Sequence, residues 1–333
     1  MGFFTKTRDI GIDLGTSNTL LYVKGKGILL VEPSVVAINK KSRQVLAVGV
    51  DAKNMIGRTP EGIEAVRPLK DGTIADFDLT QKMLKKFIEK VNDKRALKSS
   101  RITISHPSGV TEVEKRAINE AISQVGARKI MLVEEAVAAA IGSGLPVDEP
   151  IGSMIIDIGA GTTEVAVVSL QGIVTSKTLR VAGDELDETI IDYVKREFNL
   201  MIGERTAENI KIELGCVYAR SGEEEKSMEV RGRDLVTGLP KSIIVADSQI
   251  REALKNPINL IIDAIKAAIE ETPPELAADI MDNGIMLSGG GALLKGLSEL
   301  IQSETHIHVH IAENPLECVV RGAGKCLDMI DKI

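Results

Sequence analysis

One pattern occurs twice in this chain and limits its fold more than any other feature: an apolar run, an Asp, a Gly/Thr-rich turn, and a second β-branched run. The first copy is Asp9-Ile-Gly-Ile-Asp-Leu-Gly-Thr-Ser-Asn-Thr-Leu-Leu-Tyr-Val23 and the second is Met154-Ile-Ile-Asp-Ile-Gly-Ala-Gly-Thr-Thr-Glu-Val-Ala-Val-Val168. Each reads as strand, tight turn, strand. Glycine lets a turn backbone approach a ligand closely, and successive turn N–H groups form an anion-binding concavity. Asp13 and Asp157 close the first strand of each copy, where a carboxylate can hold a hydrated Mg²⁺. A single turn of this composition would be an ordinary hairpin. Two of them suggest half-sites closing on one polyphosphate.

The 333 residues exceed one ordinary core, so two domains are expected. Aromatic residues make up only 2%, with no Trp, so the core must be built from Ile, Val, Leu and Ala. A net charge of −7 argues against nucleic acid as a partner. Cys216, Cys318 and Cys326 form no CxxC pair, which fits a reduced, cytoplasmic protein. No apolar run reaches membrane-spanning length, and Gly2-Phe-Phe4 is too short for a signal-peptide core.

Between and after the hairpins, helical and strand periodicities alternate. Short β-rich runs cover 28–31 and 34–38, and a polar stretch leads to Arg67-Pro-Leu-Lys-Asp-Gly72. Leu79, Met83, Leu84, Phe87, Ile88 and Val91 share a helical face, before a polar loop at 93–100 and a strand at 101–105. Thr111 and Glu114 form a capping box that opens a helix with Val113, Ala117, Ile118, Ala121, Ile122 and Val125 on its apolar face. A strand at 130–133 runs into a small-residue helix from Glu134. In the second half, helices are expected at 186–198, 206–214, 257–270, 274–281 and 315–330, and strands at 227–231, 241–245 and 285–287. This order is that of an α/β fold of two related domains, each with a small insertion.

Ser288, Gly289, Gly290, Gly291 and Ala292 lie between a strand and a helix, where bare backbone admits a ring or phosphate. Together with Arg67-Pro-Leu-Lys-Asp-Gly72, Glu134-Glu135 before Ala138-Ala-Ala-Ile-Gly142, Gly203-Glu-Arg-Thr-Ala-Glu208 and Arg231-Gly-Arg-Asp-Leu-Val-Thr-Gly-Leu-Pro240, the motifs resemble the actin/sugar-kinase/DnaK-type ATPase superfamily, and within it the bacterial actin homologues of the MreB family (MreB, Mbl, MreBH). The resemblance covers nearly the whole chain. It implies an actin-like ATPase fold with nucleotide in the cleft between two domains. Subdomain IA would span 1–33, 75–145 and 316–333, IB 34–74, IIA 146–183 with 246–315, and IIB 184–245.

The resemblance also implies a slow ATPase that forms paired protofilaments with ATP or ADP and Mg²⁺, lies at the inner face of the cell membrane, and works with wall-elongation membrane proteins to set rod shape. By the same resemblance, Gly15, Thr16, Ser17 and Asn18 hold one side of the phosphates. Gly159, Ala160, Gly161 and Thr162 hold the other, and Asp13 and Asp157 bind the metal. Glu208, Asn209, Ile210 and Lys211 meet the ribose and adenine, although Glu208 and Lys211 alone read as an exposed ion pair. Glu135, with Thr162, orients the attacking water, although a carboxylate at a helix start is also an ordinary cap.

Three residues depart from the family pattern. Ala160 stands where glycine is usual, harmless at negative φ and crowding at positive φ. Ala136 replaces the proline that usually follows the second Glu, and Arg321 occupies an expected apolar position in the last helix. His306, His308 and His310 alternate as on the solvated face of a strand, with Ile307, Val309 and Ile311 inward. Phe3 and Phe4, flanked by Lys6 and Arg8, form an apolar, basic tip suited to an anionic membrane surface, with Ala96-Leu97 as a second candidate. A sugar kinase would need a substrate pocket that no motif marks, and a DnaK-type chaperone a further C-terminal domain. The serious alternative is a nucleotide-binding scaffold of the same fold with little or no turnover.

Overall fold

The computed structural model describes residues 9–91, 100–219, 222 and 224–331. Phe3, Phe4, Ala96, Leu97 and most of the loop expected at 93–100 lie outside these residues.

The first hairpin forms as read: β1 (Ile10–Leu14) pairs antiparallel with β2 (Asn18–Val23), and β2 with β3 (Gly27–Pro33). A small sheet follows, with β4 (Val36–Asn39) between β5 (Val45–Val48) and β6 (Ile63–Val66), and the short helix α1 (Val50–Lys53) between the last two. The ribbon of β7 (Leu69–Lys70) and β8 (Thr73–Ile74) turns at Asp71-Gly72. Helix α2 (Phe77–Val91) buries the whole expected face from Leu79 to Val91. Strands β9 (Arg101–His106) and β10 (Lys129–Glu134) join β1 in parallel, giving the order β10-β9-β1-β2-β3. Helix α3 (Glu112–Val125) carries the Thr111/Glu114 capping box, but Val113 is 76% exposed, because first-turn residues point past the sheet that Ile118, Ala121 and Ile122 cover. Helix α4 (Glu135–Ser143) starts directly at the end of β10.

The second half repeats this connectivity. Strands β11 (Ser153–Ile158), β12 (Thr163–Ser169) and β13 (Gly172–Leu179) form the antiparallel unit. Helix α5 (Gly183–Phe198) precedes an excursion of β14 (Leu200–Met201), α6 (Glu204–Leu214), β15 (Ser227–Asp234) and β16 (Pro240–Ala246). Then come α7 (Asp247–Glu270), α8 (Pro274–Asn283), β17 (Ile285–Ser288), α9 (Leu297–Thr305), β18 (Val309–Ile311) and α10 (Cys318–Cys326). The sheet order β13-β12-β11-β17-β18 matches β3-β2-β1-β9-β10 strand for strand, with both parallel strands on the same side of the hairpin. The duplicated motif therefore marks a duplicated sheet.

Three local expectations need correction. Helix α7 begins ten residues before Pro257 and runs through it. Ile250, Leu254, Ile258, Ile261 and Ile265 recur on one buried face, and that packing outweighs the lost N–H. The closing helix is shorter than 315–330: a 3₁₀ turn at Pro315–Glu317 precedes α10, and Arg321 is satisfied on its outer face by Glu317 one turn earlier. His306 is a left-handed helix cap (φ 59°), yet His306, His308 and His310 are all exposed around buried Ile307 and Val309; the rings of His308 and His310 lie 4.4 Å apart, and Ile311, expected inward, is exposed.

The two sheets meet through α4 and α10. Ala136, Ala138, Ala139 and Ala140 pack with Cys318, Val319 and the far face of β11 and β12. The helices run antiparallel with their backbones in contact. A Cβ on Gly142 would lie 1.8 Å from the Cys318 carbonyl oxygen, and one on Gly322 the same distance from that of Ala138.

Candidate functional site

Asp13 and Asp157 are each the penultimate residue of the central strand of their sheet. Each is held by a serine on the parallel neighbour strand. Ser105 on β9 donates to Asp13 (3.4 Å), and Ser288 on β17 donates to Asp157 (2.6 Å). The proton of the Ser288 hydroxyl is thus engaged by Asp157. Its counterpart Ser105 carries a matching signal in the sequence: Ser288 is the last residue of β17 and Ser105 the penultimate residue of β9. Burial, then the nearby Asp157 charge, raises the pKa of Asp13 to about 7, and burial raises that of Asp157 to about 6.

The two hairpin turns touch. A Cβ on Gly161 would lie 2.6 Å from Thr16 Oγ1 and 3.0 Å from Asp71 Cα. Thr16 Oγ1 accepts from the Gly72 N–H (3.0 Å), so the Arg67–Gly72 motif sits between the hairpins. A Cβ on Gly15 would lie 2.7 Å from the Asn18 carbonyl, which explains glycine there. Ser17 is half-buried and Asn18 exposed at the turn. In the second turn Gly159 N–H bonds Thr162 O (2.9 Å), while Gly159 O and Ala160 O accept from Gly183 and Asp184. Ala160 is absent from the residues with positive φ, so its methyl group is accommodated without strain.

Glu135 opens α4 and is 8% exposed, as is Thr162. Burial, followed by the charges of Glu164, Asp13 and Asp157, drives the Glu135 pKa well up. Its neighbour Ala136, at the position where proline is usual, uses its N–H to bond the Glu164 carboxylate (3.1 Å). Glu164 faces Asp157 across the β11–β12 ladder and is 1% exposed. In the sequence Glu164 has no signature beyond that of a strand residue.

The triple glycine packs closely on the end of β11. Gly289 has φ +78°, and a Cβ there would lie 2.3 Å from Ile158 O, while one on Gly291 would lie 2.3 Å from Ile158 Cγ2. Gly290 meets only Leu316, and Ala292 is buried. On α6, Glu208 and Lys211 do not pair with each other. Lys53 reaches Glu208 across the cleft (3.2 Å), and Lys211 bonds Asp187 (2.9 Å) and Gly183 O (2.7 Å). Asn209 is exposed. Ile210 is fully buried in the core, so its side chain cannot meet a ligand. Arg67 adds two more bridges across the cleft, to Asp184 and Glu204 (3.4 Å each).

The family model "MreB/Mbl protein" matches residues 7–333. The chain belongs to the MreB/Mbl family. It is 52% identical over 330 residues to cell shape-determining protein MreB of Escherichia coli K12 (98% of this chain, 94% of that one). It is 51% identical over 326 residues to Mbl of Bacillus subtilis 168 (98% and 97%). The crystal structure of MreB5 of Spiroplasma citri bound to AMPPNP superposes with a TM-score of 0.93 at 38% identity, covering 98% of both chains, and an ADP-bound form does the same. The MamK double helical filament, 22% identical with a TM-score of 0.80, shares the fold. As an MreB/Mbl member this chain therefore has the actin-like α/β architecture, and its duplicated sheets are the two halves of that fold. Among the described residues no helix is long and apolar enough to cross a membrane, and no three His, Cys, Asp or Glu side chains group closely enough to ligate an ion.

Proposed function

We propose that this chain is an ATP-dependent, filament-forming cytoskeletal ATPase that lies on the inner face of the cell membrane and organises wall elongation and rod shape. The observation that carries the reading is the meeting of the two hairpin turns, Gly161 against Thr16, with a serine-held aspartate behind each. Relatives named as cell shape-determining proteins, and a structural neighbour bound to AMPPNP, support it.

In this reading the backbone of 15–18 and 159–162 cradles the phosphates. The donor set fits a hard divalent ion: two carboxylates disfavoured as neighbouring anions, at the mouth of two glycine turns. Mg²⁺ there would neutralise phosphate charge, held by Asp13 and Asp157 largely through water. Glu135 orients a water in line with the terminal phosphate, with Thr162 beside it. In the loose transition state of phosphoryl transfer, positioning that water matters more than strong base catalysis. Glu208 and Lys211 border the nucleoside end. The Lys53 and Arg67 bridges close the mouth of the cleft. Protomers associate head to tail in paired filaments, and the tip carrying Phe3 and Phe4 binds anionic lipid. One tip binds weakly and a row of them firmly, since a filament multiplies effective concentration.

Sedimentation with parallel phosphate release, in ATP, ADP or neither, tests the reading. ATP-dependent pelleting with phosphate release that Glu135→Ala abolishes is the expected result. Pelleting without phosphate release would favour the scaffold reading, and no pelleting under any condition would reject filament formation.

A further inference from the structure

Glu164 is a buried carboxylate to which the proposed function assigns no role, yet every hydrogen bond it accepts comes from the other half of the molecule. It sits on β12, in the second half of the molecule. One oxygen accepts from the Ser108 backbone N–H; the other accepts from Ser108 Oγ (3.1 Å) and the Ala136 N–H (3.1 Å). Ser108 belongs to the first half, in the turn after β9. Its carbonyl accepts from Thr178 Oγ1 on β13 (3.2 Å), so the second half grips both its donors and its acceptor. Ala136 is the second residue of α4, immediately after Glu135. A single carboxylate thus joins the first-half turn, the second-half sheet and the helix start that carries Glu135. The Ala136 bond exists only because this residue has an N–H, which proline would lack.

We propose that Glu164 is a positioning residue that sets Glu135 according to how the two halves are closed, making ATP turnover depend on the Ser108 latch. The proposal rests on the reading of Glu135 as the water-orienting group. When the halves close, Ser108 is seated on Glu164, the first turn of α4 is fixed, and Glu135 is held in register with the phosphates. When they open, the Ser108 donors leave and that turn loses its anchor. Misplacing an orienting group by about 1 Å costs on the order of a hundredfold in rate, so a small shift suffices.

The test is single-turnover phosphate release by the full chain, with ATP affinity measured on the same samples. Glu164→Gln keeps the shape but turns one acceptor into a donor facing a donor. It should lower the rate constant about tenfold or more while ATP affinity stays within about threefold. Ser108→Ala removes only the hydroxyl bond and should lower the rate constant about threefold. A merely structural strut would reduce the amplitude, as fewer molecules bind ATP, and leave the rate constant alone. If both variants keep the parent rate constant while Glu135→Ala loses turnover, Glu164 does not position Glu135. If Glu164→Gln does not fold, an unchanged rate constant in Ser108→Ala is sufficient to overturn the proposal. Parent-like turnover in Glu135→Ala would instead overturn the underlying reading, and the proposal with it.

Discussion

Gly322→Ala should destabilise the chain, against the ordinary helix preference for alanine. Gly322 lies inside α10, where Ala is favoured over Gly by about 1 kcal/mol. Its added Cβ would sit 1.8 Å from the Ala138 carbonyl oxygen, with the Ala138 carbonyl carbon at 2.5 Å and Cα at 2.8 Å. The obstacle is main chain and cannot rotate away. Ordinary contact begins near 3.4 Å, so the helices must part by roughly 1.6 Å. Overpacking of this kind costs about 1–3 kcal/mol, and a backbone clash belongs at the upper end. The net expectation is a loss of about 2 kcal/mol, read as a lower urea midpoint at unchanged slope. Since α4 carries Glu135 at its start, ATP turnover should fall as well. Gly62→Ala, at a turn with nothing within 4 Å and no positive φ, should instead stabilise by roughly 0.4–1 kcal/mol. A Gly322→Ala protein as stable as the parent, or more so, would refute the close helix contact and the role assigned to glycine in it.

Ala160→Gly should leave turnover within about twofold and cost roughly 0.4–1 kcal/mol of stability, because the native φ already suits alanine and glycine adds only unfolded-state freedom; a steady-state phosphate assay and a urea titration check it. Burial raises the Asp9 pKa, but the hydrogen bonds and charge of Arg101 outweigh it, so the net value falls below the usual 3.8. The stability this carboxylate contributes is therefore full above pH 3.8 and lost as pH falls through its lowered folded value. Asp9→Asn should cost about 1–3 kcal/mol at pH 7 and progressively less in acid, measured by denaturation at several pH values. Replacing Phe3 and Phe4 together by Ser should release filaments from anionic liposomes without preventing assembly, since burying each Phe is worth about 1.5–3 kcal/mol; flotation and sedimentation on the same samples check both halves of that statement.

Most of the fold was legible because the sequence repeats its own plan. Asp13 and Asp157 mark equivalent strand ends, and the helix with Leu79, Met83, Leu84 and Phe87 shows its buried face in spacing alone. Pro257 misled because a local rule about helix starts lost to a long buried stripe of isoleucines. The histidine alternation over 306–310 holds in exposure even across a helix cap, and it fails only at Ile311, which is exposed on the edge strand β18. At the site, residue types with an obvious chemical signature stand out in the sequence, while the residues that hydrogen-bond to them do not. Ser105 and Glu164 act through partners about 92 and 56 residues away in sequence or less, and spacing cannot reveal that. Ile210 was included by adjacency to Glu208 and Lys211, but a helix sends neighbouring residues to different faces, and this one faces the core. At the triple glycine, bare backbone signals ligand approach in the sequence, and the contact of Gly289 and Gly291 with the end of β11 is a second demand for glycine that spacing does not show.

The proposed function requires one polyphosphate between the two hairpin turns of an assembled filament. Electron cryomicroscopy of this chain polymerised with Mg²⁺ and AMPPNP tests it most directly. The expected map shows density for the phosphates between 15–18 and 159–162, a cation near Asp13 and Asp157, and Glu135 facing the terminal phosphate. Filaments whose turns hold no nucleotide, or nucleotide bound elsewhere with these turns in contact, would contradict it.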